Sequence, residues 1–334
     1  MSSHHEGSGE DQLIARFFRP IARHPGARGL TDDAAVFAPP PGCDLVLTAD
    51  AVIGGVHFFP DDPADAVARK ALRVNLSDLA AKGARPAGFL LSLALPDGTG
   101  EDWLAAFARG LGEDAERFGC PLLGGDTDRT PGPVMASIAA WGTLPAGSMV
   151  TRSGAKAGER IFVTGTIGDA ALGLKLRRDP ALAVRWQLTP AMRSHLAERY
   201  LVPQPRNALA EAVRGHASAA IDVSDGLAGD LGKLCGASKI SADIEVGRVP
   251  LSDAARAALT AEPALIETIL AGGDDYEIVG TVPADMLQSF RAAANVAGVP
   301  VTEIGQVVAG EAAPRFIGPD GRALALKRVS FSHF

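Results

Sequence analysis

Cysteine is scarce in this chain of 334 residues. There are three, Cys43, Cys120 and Cys235, far apart and without a C-x-x-C pair. This spacing argues against a disulfide framework, and a reducing cytoplasm is the expected compartment. Long apolar runs are also missing. Although 47% of the residues are hydrophobic, none of the runs approaches the roughly 20 residues needed to cross a bilayer. No membrane partner is therefore expected. The first residues, MSSHHEGSGEDQ, are polar and hold no apolar segment, so no signal peptide is expected. Basic charge is in deficit, with 32 Lys+Arg against 39 Asp+Glu and a formal net charge of -7. A nucleic-acid binder would be expected to show a basic face, so no nucleic-acid partner is expected. The 7 histidines are scattered, which speaks against a zinc site.

Several catalytic signatures are absent too. No G-x-x-x-x-G-K-[ST] occurs, since GDLGKL carries Leu234 where Ser or Thr is required. GLGEDA at 110–115 lies inside a helical pattern and follows no strand. There is no G-x-S-x-G elbow and no Cys/His arrangement for a covalent nucleophile.

What the chain does have is acidic residues that recur beside glycine or after short apolar runs. GLTDDAAVF holds Asp32 and Asp33, and DLVLTADAVIGGVHF runs as a strand pattern to Asp50. VNLSDLAAKGARP holds Asn75 and Asp78, and CPLLGGDTDRT brings Asp126 after two glycines. AIDVSDGL holds Asp222 and Asp225, and LAGGDDYEIVG holds Asp274, Asp275 and Glu277.

Hydrophobic periodicity places these stretches on a coarse scaffold. The pattern predicts a strand over 44–52, in which Thr48 and Asp50 share a face. It predicts a helix over 63–82, with Asn75 and Asp78 three residues apart on one side. Thr99 is the expected cap of a second helix running to about 118. A strand is expected over 133–144. Two strand–glycine turn–helix units follow, at 161–164 with Gly165 and Gly168, and at 219–234. Length allows two domains, and the loose alternation of strands and helices points to α/β and α+β architecture. The polar, glycine-bearing stretch 145–158 reads as the link, giving domains at 1–148 and 149–334.

Clustered carboxylates repel one another unless cations neutralise them. All-oxygen ligands suit hard ions such as Mg²⁺, which is usually shared with substrate phosphates. Adjacent glycines let backbone N–H groups approach phosphate oxygens. Convergence of these loops would therefore make a site for a polyphosphate held through metal ions. Asp and Gly are also ordinary turn residues, and for the Thr31–Asp33 stretch taken alone a turn is the simpler reading. Asp78 alone reads as a helix face or cap, His57 as a satisfied polar residue, Arg152 as a surface charge and Phe331 as a packing aromatic.

Taken together, DDAAV, TADAVIGGVHF, VNLSDLAAKGARP, LLGGDT, TRSGAKAGE, VTGTIGDAALGL, IDVSDGL, GGDDYEI and the final SHF resemble the thiamine-monophosphate kinase family. They occur in family order over nearly the whole chain. SDGL is shared across the wider superfamily of aminoimidazole-ribonucleotide-synthetase-like, ATP-using enzymes, whereas GGVHF, NLSDLAAKGA and GGDDYE are more specific. The resemblance implies a two-domain fold whose N-terminal sheet pairs with that of a second subunit into a barrel, making a homodimer. It implies transfer of a phosphoryl group from ATP to thiamine monophosphate with several Mg²⁺ ions. It implies metal ligands at Asp33, Thr48, Ala49, Asp50, Asp78, Asp126, Asp222 and Asp225. Nucleotide contacts are implied at Gly125, Asp126, Arg152 and Ser224, and acceptor contacts at His57, Asp274 and Phe331. Asp50, Asp78, Asp126 and Arg152 are the implied catalytic residues.

This chain departs from the family at Thr31, where Gly is usual, and at Ala49, where Thr is common and only a backbone carbonyl remains for a metal. Asp274 replaces a usual Glu, and Phe331 a frequent Trp. Two other readings use the same acidic loops: a sister ATP-dependent synthetase, and a non-catalytic nucleotide- or metal-binding regulator. A selenophosphate synthetase is disfavoured because the first cysteine, Cys43, lies in a PPPGCD turn. A regulator would not need every acidic position.

Overall fold

A computed structural model describes residues 9–328 and Ser330. The chain forms two compact units, Met1–Leu76 with Pro86–Thr143, and Ser77–Arg85 with Leu144–Phe334. Among the described residues, no helix is long and apolar enough to cross a membrane.

The first unit is built on a four-stranded sheet of order β1-β4-β2-β3. Its strands are β1 (Cys43–Ile53), β2 (Arg85–Pro96), β3 (Leu122–Thr130) and β4 (Met135–Pro145). The strand expected over 44–52 is β1, and the helix expected over 63–82 is Ala64–Ala81. The expected cap Thr99 is a correction. Gly100 occupies the N-cap of helix Glu101–Arg117, while the Thr99 hydroxyl donates to the Pro96 carbonyl at 2.9 Å. Thr99 therefore closes the turn after β2, and the helix begins one residue later than expected, with Gly100 at its cap.

These two helices are fastened by a buried ion pair. Arg73 Nε donates to Asp114 Oδ2 at 2.5 Å and its Nη2 to Oδ1 at 2.9 Å. Both side chains are out of solvent, and the Arg73 guanidinium also lies 5.4 Å from the Phe118 ring centroid. Bidentate geometry lets such a pair offset its desolvation.

The second unit holds a six-stranded mixed sheet of order β10-β7-β9-β5-β8-β6. Its strands are β5 (Arg160–Thr164), β6 (Ala219–Asp222), β7 (Ser241–Glu245), β8 (Ile278–Val282), β9 (Val301–Val308) and β10 (Arg315–Ile317). The β10–β7 pair is parallel, and the other neighbours are antiparallel. Side chains alternate between two cores, as period-2 geometry requires. Ile161, Val163, Ala219, Ile221 and Val279 enter one, with residues of helices Asp169–Arg178, Leu227–Ser238 and Leu265–Ala271. Phe162, Ala220 and Ile278 enter the other, with Val213, Phe290, Ala80 and Ala81.

The last two residues explain a departure from the expected division at 148/149. Residues 77–85 group with the second unit because they pack and hydrogen-bond there. Lys82 Nζ donates to the Ala220 carbonyl at 2.7 Å, Arg214 Nη1 to the Gly83 carbonyl at 2.7 Å, and Val150 N–H to the Lys82 carbonyl at 3.3 Å. The principal break falls between Thr143 and Leu144.

Asp114→Ala strands the Arg73 charge in the interior. Loss of one partner of a buried pair costs about 3–5 kcal/mol, a drop to be read in the urea midpoint of unfolding.

Candidate active site

Strand parity decides where the acid at the end of β6 goes. Ala220 enters the core that takes in Ala80 and Ala81, and Asp222, two residues on, projects to the same side. That places it beside the end of helix Ala64–Ala81. Burial pushes the Asp222 carboxyl well above the ordinary carboxylate range, and the charges of Asp78 and Asp230 push it further. Asp78 itself is half-buried on that helix. Lys82 is a cation of this cluster. Its ammonium is pushed down to about 8, by burial first and then by Arg152, against the pull of Asp222 and Asp78. Asp78, Lys82, Arg152 and Asp222 are thus within electrostatic reach of one another.

The loop after β6 carries Ser224 and Asp225 and runs into the N-terminus of helix Leu227–Ser238 at Gly226. Asp225 N–H donates to Asp230 Oδ2 at 2.8 Å. Lys233 Nζ bridges both acids, at 2.5 Å to Asp225 Oδ2 and 2.7 Å to Asp230 Oδ1. Beside this loop lies Asp274, whose N–H donates to the Ser224 carbonyl at 2.8 Å. Asp275 turns inward, and its carboxylate accepts from Gly168 N–H at 2.8 Å. Arg152 is exposed, and its carbonyl accepts from Ser238 Oγ at 2.9 Å.

In the first unit the candidate residues stand on different elements. Thr48 and Asp50 share a face of β1, and Asp50 N–H donates to Asn75 Oδ1 at 3.0 Å. Asp50 and Ala49 are exposed, and Thr48 is half-buried. His57 Nδ1 accepts from Ile53 N–H at 3.1 Å, while its carbonyl accepts from Lys70 Nζ at 2.9 Å. Asp126 is exposed on β3, opposite Ser92 of β2 in parallel register. The preceding Gly125 has φ +155°, and a Cβ there would run into the Leu91 carbonyl, so only glycine fits. Asp33 is exposed, and its N–H donates to Asp32 Oδ1 at 2.9 Å. Phe331 lies outside the described residues.

Sequence reading passed over Lys82, Asp230 and Lys233. The i, i+3 spacing of Asp230 and Lys233 on one helix was a usable signal. For Lys82 no local signal exists, because its partner is the carbonyl of Ala220, far along the chain. Among the described residues, no three His, Cys, Asp or Glu side chains are grouped so as to hold a metal ion by themselves.

Two strand-rich units with glycine–aspartate loops at their strand ends define a known class. Residues 31–144 match the AIR synthase related protein N-terminal domain, and residues 156–315 the C-terminal domain of the same class. A thiamine-monophosphate kinase of Caulobacter vibrioides is 44% identical over 96% of this chain and 89% of its own length. The crystal structure of the Stenotrophomonas maltophilia thiamine-monophosphate kinase superposes with a TM-score of 0.82 at 38% identity, covering 94% of this chain and 96% of that one. AaThiL complexed with AMPPCP and TMP superposes with a TM-score of 0.75 at 29% identity, over 92% and 94% of the two chains. The chain belongs to the thiamine-monophosphate kinase family and has the two-domain, mixed-sheet AIR synthase-like fold.

The Asp222 environment predicts a pH signature. With its folded pKa raised above the unfolded value of about 3.9, ionisation of Asp222 opposes folding. The penalty is absent below that value and grows as pH rises through the folded pKa. Asp222→Asn removes it. Without added metal or substrate, the variant should resist urea better than the parent near pH 8, with the gap closing toward pH 4.

Proposed function

We infer that this chain is an ATP-dependent kinase that phosphorylates thiamine monophosphate to thiamine diphosphate. The observation that carries this reading is kinship with thiamine-monophosphate kinases along nearly the whole chain, 44% identity over 96% of it in the Caulobacter relative. A relative of the same fold is complexed with AMPPCP and TMP, which supports ATP and thiamine monophosphate as the two substrates here.

Divalent magnesium fits the residues present. The donors are hard oxygens, and Asp222 and Asp78 lie within electrostatic reach of each other, where a bound cation would favour the ionised form of Asp222. Since the described residues offer no group of three acids or histidines for one ion, any ion held there completes its shell with water and phosphate oxygens, as Mg²⁺ characteristically does. Asp33, Thr48, the Ala49 carbonyl, Asp50, Asp78, Asp126, Asp222 and Asp225 are the proposed ligands. When bound, the ions would supply positive charge against the approaching phosphates.

The chain's own part is binding and alignment. Gly125, Asp126 and Ser224 are assigned to the nucleotide, with Arg152 screening phosphate charge. His57, Asp274 and Phe331 are assigned to thiamine monophosphate. An acceptor phosphate oxygen attacks the γ-phosphorus in line, a new P–O bond forms, and the bond to the β-phosphate oxygen breaks to release ADP. No general base is needed, because a phosphate monoester with a second pKa of about 6 is already ionised at neutral pH.

A homodimer is supported by the sheet of the first unit. Leu45 and Leu47, two residues apart on edge strand β1, are 40% and 74% exposed, and Leu90 of β2 is 40% exposed. An apolar sheet surface of this kind suits pairing with a second copy into a barrel. Free cysteines and an ATP co-substrate support a cytoplasmic location.

Incubation with ATP, Mg²⁺ and thiamine monophosphate should yield thiamine diphosphate, and excess chelator should stop it. Asp78→Asn should fold normally and lose about 10²–10³-fold in kcat, the scale of one lost electrostatic contact at a reacting centre. Phe331→Ala should raise the KM for thiamine monophosphate ~2- to 30-fold, the loss of a cation–π contact. Its KM for ATP should hold. An equal change in both KM values would remove Phe331 from the acceptor side.

A further inference from the structure

Asp274 and Tyr276 have left-handed backbones, at φ 72° and 51°, although neither is glycine. Such conformations persist only where the surroundings over-determine them. Here the surroundings do so from three sides. Asp274 N–H and Tyr276 N–H donate to the Ser224 and Val223 carbonyls, both at 2.8 Å, and Val223 N–H returns a bond to the Glu277 carbonyl at 2.7 Å. Asp275 is fastened to Gly168 N–H at 2.8 Å. Glu277, fully buried, is the third anchor.

The Glu277 carboxylate is fully occupied. Arg199 Nη2 donates to Oε1 at 2.9 Å, Arg206 Nε to Oε2 at 2.6 Å, and the Thr164 hydroxyl to Oε2 at 2.6 Å. Arg206 Nη2 closes a second bond to Oε1, making its contact bidentate. Arg199 Nη2 also donates to the Asp275 carbonyl at 3.0 Å, so the same cation grips the backbone between the two left-handed residues. A Cβ on Gly165 would run into Glu277 and Arg206, so the chain has left this space to the ion pair.

We propose that Arg206 is a positioning residue which, through Glu277, presets the 274–276 segment so that Asp274 meets the acceptor substrate without reordering. This rests on the assignment of Asp274 to thiamine monophosphate. Arg206 acts by holding the carboxylate one residue beyond the strained turn. The consequence falls on acceptor affinity rather than on the chemical step, because loosening a prearranged binding segment adds an ordering cost to binding.

Arg206→Gln is the test, since Arg199 remains to neutralise Glu277 and keep the chain folded, and Arg206→Lys is its conservative partner. Two readouts are taken on the full chain: hydrogen–deuterium exchange of the peptide spanning Asp274–Tyr276 without substrates, and steady-state kinetics with each substrate varied. In Arg206→Gln, exchange should quicken about tenfold. The KM for thiamine monophosphate should rise about tenfold, with kcat and the KM for ATP within about twofold. Arg206→Lys should recover at least half of each effect on a logarithmic scale. Unchanged exchange overturns the proposal, as does quickened exchange with an unchanged acceptor KM, or parallel loss for both substrates. If the parent chain itself makes no thiamine diphosphate, the kinase reading fails at that control, and the acceptor role proposed for Arg206 falls with it. The exchange arm then reports on the latch alone.

Discussion

Two carboxylates kept close together, one of them out of water, are the constraint around which the second unit is organised. Burial makes Asp222 costly to ionise, and the neighbouring charge of Asp78 adds to the cost. A fold can place such a pair only if strong apolar packing holds the backbone on either side. That is the situation of β6, where Ala219, Ala220 and Ile221 are fully buried immediately before Asp222. The apolar strand and the acid at its end are therefore one device, with the first fixing the second where it would not otherwise stay.

The same packing also selects the neighbours. Because successive side chains of a strand point to opposite faces, Asp222 projects as Ala220 does, toward the core that takes in the end of helix Ala64–Ala81. A one-residue slip of β6 would turn the acid toward the opposite core and away from Asp78 and Lys82. Antiparallel pairing of β6 with β8, from Ala219 opposite Thr281 to Asp222 opposite Ile278, fixes that register. It also brings the residues preceding β8, the 273–277 segment, alongside the 222–225 loop. Topology and chemistry meet at one strand pair.

Much of this was legible in the sequence, and the pattern of misses is physical. Strand β1, helix Ala64–Ala81 and the two strand–turn–helix units follow from periodicity, which is a local property. The acidic loops were visible because Asp beside Gly is a local signature too. Thr99 was misassigned because the helix start falls one residue later, at a Gly100 cap, and the Thr99 hydroxyl instead donates within the turn to the Pro96 carbonyl. The adherence of residues 77–85 to the second unit was not legible. Nothing in DLAAKGARP announces that Lys82 will find the carbonyl of Ala220. Nor could Arg199 and Arg206 be connected with Glu277, since some seventy positions separate them and an isolated arginine carries no address. Local motifs are readable one at a time, whereas the charges that support them are assigned only by folding.

The buried acids of this chain fall into two kinds, and the difference separates scaffold from site. Asp114 is held by Arg73, and Glu277 by Arg199, Arg206 and Thr164. Burial opposes ionisation of Asp169, yet hydrogen bonds from His195, Ser252 and Thr166 override it and draw its pKa down. Each of these carboxylates is met by donors from within the protein. Asp275 shows that a raised pKa is not the discriminating feature. Burial pushes its carboxyl up as well, but it caps the backbone at Gly168 and serves the fold. Asp222 differs in kind. Its strongest charged neighbour is another carboxylate, and the one ammonium beside it, Lys82, is itself pushed toward neutrality. Scaffold acids are complete without a ligand. At Asp222 the surroundings raise the carboxyl instead of holding it charged, and a cation brought beside it would favour the ionised form.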